Sequence, residues 1–233
     1  KINKFDVIIN FAAYTSVDEA ESNIEQAEQI NHFAVAQIAK IAKNQGIPLI
    51  QISTDYVFNG RTSKAYIETD KTNPKNAYGN SKLKGELAMK GAGCNGAIIR
   101  TSWLYSEFGK NFVKTIINLG QRNKRISVIN DQIGSPTYAS NLAKVLLNML
   151  NDPIINKTLR SELSVYHFSD DGICSWFEFA KNIIELSNIN CQVSPIKTKD
   201  YASAANRPLH NVMSKNKTAG DKNKSFAKLL QDE

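Results

Sequence analysis

Cysteine is scarce in this sequence. The 233 residues hold three, Cys94, Cys174 and Cys191. The number is odd and no C-x-x-C spacing occurs, which speaks against a disulfide framework and against a zinc site. Histidine is equally scarce. His32, His167 and His210 are scattered, and metal sites need clustered ligands, so no metal is expected. Long apolar runs are missing too: none nears the roughly 18 residues of a membrane span. The opening Lys1-Ile2-Asn3-Lys4-Phe5-Asp6 meets an acid before any apolar stretch forms, unlike a secretory signal. The expectation is a cytoplasmic protein with no membrane partner. Acidic residues are the minority, 22 against 29 basic ones, for a net charge of +7. Lys215, Lys217, Lys222, Lys224 and Lys228 crowd the C-terminus and read as a solvated tail, so no nucleic-acid partner is expected. A mildly basic cleft also suits an anionic small substrate.

What is present is ordinary for a globular chain, 42% hydrophobic and 22% charged. The length allows one large domain or a domain plus a smaller lobe. Strands and helices alternate. Val7-Ile8-Ile9 is a short apolar run of the buried-strand type. Residues 24–45 read as one helix, with Ile30, Phe33, Ala34, Ile38 and Ile41 at three- and four-residue steps and Gly46 and Pro48 ending it. Residues 49–53 form the next strand, 78–90 a second helix and 97–100 a third strand. That order implies parallel pairing with right-handed crossovers. Further on, helices are expected at 111–119, 139–150 and 176–186, with strands at 126–129 and 165–168.

One literal G-x-G-x-x-G occurs, Gly91-Ala92-Gly93-Cys94-Asn95-Gly96. It follows a helix and precedes a strand. A pyrophosphate needs the reverse order, because free N–H groups and the favourable dipole lie at a helix N-terminus. These glycines read instead as a helix C-terminal stop.

The chemistry-bearing pattern is Tyr78-Gly79-Asn80-Ser81-Lys82 at a helix start. Four residues are about one turn, so phenol and ammonium share a face. A nearby ammonium favours the phenolate and is expected to lower the tyrosine pKa. Ser53-Thr54-Asp55-Tyr56-Val57-Phe58 leaves the end of a parallel strand, where open α/β sheets place their ligands. There Thr54 can offer a hydroxyl to the carbonyl that Tyr78 protonates. At another strand end, Asn10 to Thr15, small Ala12 and Ala13 would let a flat cofactor approach the backbone. Asp18, Glu19 and Glu21 read as first-turn helix acids, not as a metal site.

Taken in order, these stretches resemble the dTDP-4-dehydrorhamnose reductases of the extended short-chain dehydrogenase family. The resemblance rests on Asp6 to Asp18, Ser53 to Phe58, Tyr78 to Glu86, Arg100-Thr101-Ser102-Trp103-Leu104-Tyr105, Asn130 to Thr137 and Ala205-Asn206-Arg207-Pro208. It spans nearly the whole chain and thins beyond about Asn211. It implies a Rossmann-like doubly wound parallel sheet, lacking its first βαβ portion, with a smaller mixed C-terminal lobe. Residues 1–130 would be the remainder of the dinucleotide-binding domain and 131–233 mainly the substrate-binding lobe, the two interleaving. It also implies Tyr78 as proton donor, Lys82 tuning it and meeting the nicotinamide ribose, and Thr54 completing the triad. Ala12, Ala13, Tyr14 and Thr15 would line the cofactor. Asp55 and Trp103 would face a dTDP-sugar substrate, Trp103 stacking on sugar or base, and Arg207 would meet its phosphates.

There are two departures. A second arginine often precedes the position of Arg207, and here Asn206 stands there. The opening strand, Gly-rich turn and helix of the family, roughly 50 residues, are not in this sequence. The chain therefore reads as N-terminally truncated, and alone it is expected to bind cofactor poorly and to catalyse nothing measurable. NADPH and NADH both stay open, since the residue that reads the ribose 2′ position belongs to that part. So does a homodimer. Two other functions compete with reduction. Nucleotide-sugar dehydratases or epimerases share the superfamily, but a dehydratase carries Thr-Asp-Glu where this chain has Thr54-Asp55-Tyr56. A non-catalytic regulatory subunit of methionine adenosyltransferase type would not need Thr54, Tyr78 and Lys82 intact.

Overall fold

A computed structural model describes residues 5–217. Lys1 to Lys4 and the tail lysines Lys222, Lys224 and Lys228 lie outside the described residues. The first half runs β1 (Ile8–Asn10), α1 (Ile24–Glu28), α2 (Ala34–Gln45), β2 (Leu49–Thr54), α3 (Ala77–Gly91) and β3 (Gly96–Thr101). Then come β4 (Leu104–Tyr105), α4 (Phe112–Arg122), β5 (Arg125–Ile129), β6 (Ile133–Gly134), β7 (Thr137–Tyr138), α5 (Ala139–Asn151) and α6 (Pro153–Ser161). Finally come β8 (Leu163–His167), β9 (Cys174–Ser175), α7 (Trp176–Leu186) and β10 (Gln192–Ile196).

Four strands make one parallel sheet in the order β1-β2-β3-β8. Its two inner strands are almost wholly buried, as continuous apolar runs covered on both faces must be. Successive side chains of a strand point to opposite faces. Leu49 and Ile98 accordingly pack with Val35, Ala39, Ala42 and Met89 from α2 and α3. Ile50, Ala97 and Ile99 pack on the other side with Leu142, Leu146, Met149 and Leu159 from α5 and α6. This is the Rossmann-like α/β arrangement, and residues 139–167 return to it after the chain has left for the smaller lobe.

The lobe is built on the parallel pair β5–β10, with α4 and α7 packed over it through Ile116, Ile126, Val128, Ala180, Ile183 and Ile184. Gly120 permits the close approach of the helices: a Cβ there would lie 2.4 Å from Ile184. Short pairs, β4–β7 parallel and β6–β9 antiparallel, join lobe to sheet. No helix among the described residues is long and apolar enough to cross a membrane. None of the described His, Cys, Asp and Glu residues form a group of three or more that could hold a metal.

Three local differences from the sequence reading have physical causes. The helix expected over 24–45 is interrupted by a π turn, Gln29–Phe33, which buries Asn31. Helix α6 follows an Asp152 cap that accepts from Ile154 and Ile155, with Pro153 at its first position. An Asp followed by Pro at 152–153 is a helix-start signal legible in the sequence itself. Strand β10 carries Pro195, a residue that argues against a strand except at an edge.

Candidate active site

The C-terminal end of β2 delivers Thr54. A 3-10 turn, Asp55–Val57, follows at once, and Thr54 Oγ1 accepts from Tyr56 N at 3.2 Å. The start of α3 is docked onto this turn. Asn76 caps the helix by accepting from Gly79 N at 2.8 Å. Gly79 is small by necessity, since a Cβ there would lie 2.3 Å from Tyr56 O. This seating brings Tyr78 near enough to Thr54 for the hydroxyl to act on its pKa, and edge-on to Tyr56 with ring centroids 6.0 Å apart.

Loss of hydration pushes the Tyr78 phenol up to about 12; the Thr54 bond pulls it down and the Asp55 charge adds to the rise. Lys82 was expected to lower this value. It is buried one turn along α3, but its Nζ donates to Ile52 O at 2.6 Å. Burial brings Lys82 down to about 8, against the favourable charge of Glu86. The ammonium is spent on Ile52 and Glu86, so this geometry does not deliver the expected lowering.

Behind Lys82 lies a buried ionic network. Arg100 Nε and Nη2 grip Glu86 at 3.0 and 2.7 Å, and Ser53 Oγ donates to Glu86 at 2.6 Å. Arg100 also lies over the Phe58 ring and beside His167. Burial and then the Arg100 charge push His167 down to about 3, so it is neutral at physiological pH.

Residues 10–15 lead out of β1 and are tied to α3 through Asn31. Asn10 is buried, donating to Gln51 Oε1 at 2.7 Å and accepting from Ala12 N at 3.1 Å. Ala12 and Thr15 are exposed, Ala13 and Tyr14 half-buried. The π turn explains how this segment is held. Asn31 accepts from Tyr14 N at 2.9 Å and donates to Tyr14 O and to Ser81 Oγ, each at 3.0 Å. One side chain thus ties the segment after β1 to α3, and π turns often mark such functional places.

Besides Thr54, the three residues expected to meet the substrate, Asp55, Trp103 and Arg207, are all engaged with protein. Asp55 is 2% exposed. Its Oδ1 accepts from Thr54 Oγ1 at 3.1 Å and its Oδ2 from Asn211 Nδ2 at 2.8 Å. Trp103 has φ 49°, in the left-handed region. Its ring stacks on Trp176, centroids 3.5 Å apart and 10° from parallel, so one face is taken. It also packs over Gly134, where a Cβ would come within 2.7 Å. Arg207 holds Asp18 with both Nη atoms, at 2.9 and 2.6 Å, in the forked geometry that also suits phosphate. Asp18 and Glu21 are therefore more than first-turn acids. Asp18 makes no cap bond to its own helix but accepts from Arg207, Ser203 and Ala205 N. Glu21 accepts from Ala77 N at the start of α3 at 2.7 Å. Asn206 contributes its carbonyl, which takes the Asn76 amide at 3.0 Å.

Sequence reasoning passed over Asn31, Asn76, Glu86, Arg100 and Asn211 as site residues. Asn76 had a readable signal, an Asn directly before a helix. The others act through contacts distant in sequence.

The sequence matches the RmlD substrate binding domain over residues 1–230. It is 38% identical over 209 residues to the spore coat polysaccharide biosynthesis protein SpsK of Bacillus subtilis, covering 90% of this chain and 71% of that one. It is 36% identical over 234 residues to the dTDP-4-dehydrorhamnose reductase of Escherichia coli, covering 97% and 76%. Among solved structures, the dTDP-4-dehydrorhamnose reductase of Bacillus anthracis in complex with NADP superposes with a TM-score of 0.86 at 40% identity, over 97% of this chain and 79% of that one. A dTDP-glucose 4,6-dehydratase from Streptomyces venezuelae shares the fold alone, at 15% identity and a TM-score of 0.77. Fold, ordered motifs and these likenesses agree, and the chain belongs to the dTDP-4-dehydrorhamnose reductase family.

Proposed function

We propose that this chain carries the catalytic and substrate-binding part of an NAD(P)H-dependent reductase that converts dTDP-4-dehydrorhamnose to dTDP-L-rhamnose in the cytoplasm. The observation that carries the reading is the seating of Tyr78 near Thr54, with buried Lys82 one helical turn along, at the C-terminal edge of a parallel sheet, in a chain 36% identical to a reductase of that name.

The residues present fit a nicotinamide cofactor. Ala12 and Ala13 are too small to cover the backbone after β1, Asn31 fixes that backbone, and the ammonium of buried Lys82 would be offered to the cofactor from α3. Ala12, Ala13, Tyr14 and Thr15 would line the cofactor and Lys82 would hold its ribose. The reduced nicotinamide supplies the hydride.

Tyr78 then has one task, to hand a proton to the sugar oxygen that becomes a hydroxyl. Its raised pKa suits that direction. The phenol is protonated at neutral pH, and an alkoxide is the stronger base. Thr54 offers its hydroxyl oxygen beside Tyr78, and the Glu86–Arg100 pair locks α3 against β2 and β3 behind them. Arg207 reaches substrate phosphates by exchanging its grip on Asp18 for one on the nucleotide, and Trp103 offers the ring face away from Trp176. A dehydratase is disfavoured because Tyr56 stands where an eliminating acid would be. Burial and the Asp55 charge raise its pKa against the pull of the Arg207 charge.

The test is turnover by the full-length protein, following NADPH consumption with dTDP-4-dehydrorhamnose. Tyr78→Phe should cost about 10²–10⁴-fold in rate with cofactor affinity nearly unchanged. Activity within a few-fold of wild type would sink the assignment.

A further inference from the structure

We propose that Trp176 is a positioning residue for substrate recognition: by stacking on Trp103 it holds that ring in one place, ready for the nucleotide sugar. The proposal rests on the reductase reading above for the ligand that Trp103 meets, and on geometry alone for what Trp176 does to Trp103.

Trp103 stands in a backbone conformation that its side chain disfavours. Among the described non-glycine residues only Trp103, φ 49°, and Asn188, φ 52°, have positive φ. Asparagine visits the left-handed region readily, whereas a bulky residue there is an outlier. Such a setting persists only where the surroundings over-determine it, and such settings cluster at ligand clamps. Here the surroundings are one segment, residues 133–138. Ser135 O accepts from Ser102 Oγ at 2.7 Å, and Thr137 N donates to Trp103 O at 3.2 Å. Leu104 and Tyr105 pair with Thr137 and Tyr138. The backbone is thus pinned on both sides of Trp103.

The same segment carries the partner ring. Ile133 and Gly134 pair with Ser175 and Cys174, the two residues before Trp176. Ser175 caps α7 in a reciprocal box: Glu178 N donates to Ser175 Oγ at 3.1 Å, and Ser175 N donates to Glu178 Oε2 at 2.7 Å. Trp176 is the first residue of that helix. Phe112, the first residue of α4, packs against its ring with centroids 4.4 Å apart. Trp176 therefore has little freedom, and it offers Trp103 a flat, fixed surface with centroids 3.5 Å apart. Gly134 confines the Trp103 ring further: an added Cβ would lie 2.7 Å from Cε2 and 2.9 Å from Nε1. A ring held in this way has lost its rotamer freedom before a ligand arrives. Ordering a side chain at the moment of binding weakens a complex, and a ring ordered beforehand avoids that loss.

The experiment uses the full-length protein with fluorine-labelled tryptophan, the Trp103 signal being assigned with Trp103→Phe, and dTDP as the ligand in calorimetry. Trp176→Leu fills space without offering a plane, so the Trp103 signal should move toward its position in the unfolded protein. Affinity for dTDP should fall about fivefold to tenfold, with cofactor affinity within about twofold of wild type. In the rate assay KM for the sugar nucleotide should rise by the same factor while kcat stays within about twofold, as loss of uniform binding requires. Trp176→Phe should restore most of the affinity, because it keeps a backing ring. Gly134→Ala supplies an independent arm. It leaves Trp176 in place, but the added methyl displaces the Trp103 ring, so the Trp103 signal should shift and dTDP should bind more weakly. Wild-type dTDP affinity in Trp176→Leu would overturn the proposal. So would equal losses of dTDP and cofactor affinity, which a purely structural role produces. A displaced Trp103 signal with unchanged dTDP affinity in Gly134→Ala would overturn it too, and this arm decides alone should the leucine variant fail to fold. If the wild-type protein binds dTDP but leaves dTDP-4-dehydrorhamnose unreduced, the reductase reading fails while the calorimetry still decides this one.

Discussion

The parallel sheet and the smaller lobe hold themselves together by different means. In the sheet, β2 and β3 are buried along nearly their whole length, and the polar interior behind the site is ionic: Glu86, Arg100 and their neighbours. In the lobe, β5 and β10 keep exposed positions, and cohesion comes from α4 and α7 and from rings, with Trp176 touching Trp103 and Phe112. The residues proposed to handle the proton, Thr54 and Tyr78, stand on the first region, where a misplaced side chain is resisted from all sides. The residues assigned to substrate recognition, Trp103 and Arg207, stand where the second region meets the first, and the Arg207 contacts can be exchanged for a ligand's. Chemistry needs fixed geometry, whereas recognition can use contacts that open.

The hardest blow to this contrast should be Glu86→Ala. It leaves Arg100 buried without its carboxylate, and removing one partner of a buried pair costs about 3–5 kcal/mol. Denaturant unfolding should show the loss, and turnover should fall as Lys82 loses Glu86. A loss below about 1 kcal/mol would mean that water reaches Arg100 and that the sheet interior is not closed. Ile184→Ala is the matching change in the lobe. It empties space between α7 and Gly120 of α4, at about 2–4 kcal/mol. A second unfolding transition in this variant, absent from the wild type, would show that lobe and sheet can come apart.

The same contrast decides what could be read beforehand. The inner strands were legible because burial on both faces leaves a continuous apolar run, as at Leu49 to Ile52 and Ala97 to Ile99. Tyr78 and Lys82 were legible because one helical turn brings them to one face. That spacing could not say where the Lys82 ammonium goes. Ile52 O claims it from across the α3–β2 seam, and the expected effect on Tyr78 is lost with it. Strand β10 hid behind Pro195, and its exposed positions gave no apolar run. The Asn211–Asp55 and Arg207–Asp18 contacts join residues 156 and 189 positions apart. Nothing local marks either partner, and only the folded chain brings them together.

Two aspartates flank the site and should titrate in opposite senses. Asp55 is raised to about 7 by burial. A group raised in the folded state contributes stability that is present below its unfolded value, near 4, and is lost as pH rises through the folded value. Asp55→Asn removes that loss. The variant should match wild type at about pH 4 and exceed it by about 1–3 kcal/mol above about pH 7, while turnover falls because the carboxylate that orders Thr54 is gone. Equal stability at both pH values would mean that the Asp55 carboxylate is better hydrated than its burial implies.

Asp18 is the reverse case and the smallest effect. Arg207 and the donors around it hold its carboxyl below the usual range. A lowered group contributes stability present above its unfolded value and lost as pH falls toward the folded one. The ion pair is partly open to water, with the Asp18 side chain 47% exposed, so screening keeps its worth to about 0.5–1 kcal/mol. Asp18→Asn should lose that much at about pH 6, and the gap from wild type should close as pH drops below about 4. Salt should narrow it as well, because exposed pairs are screened over about 10 Å at 0.1 M. These two dependences separate the ionic contribution from the hydrogen bonds to Ser203 and Ala205, which the asparagine oxygen can still accept. A gap that ignores both pH and salt would show that Asp18 matters for those neutral bonds alone. The Arg207 grip would then add nothing to stability, leaving that guanidinium free for an anionic ligand at no cost to the fold.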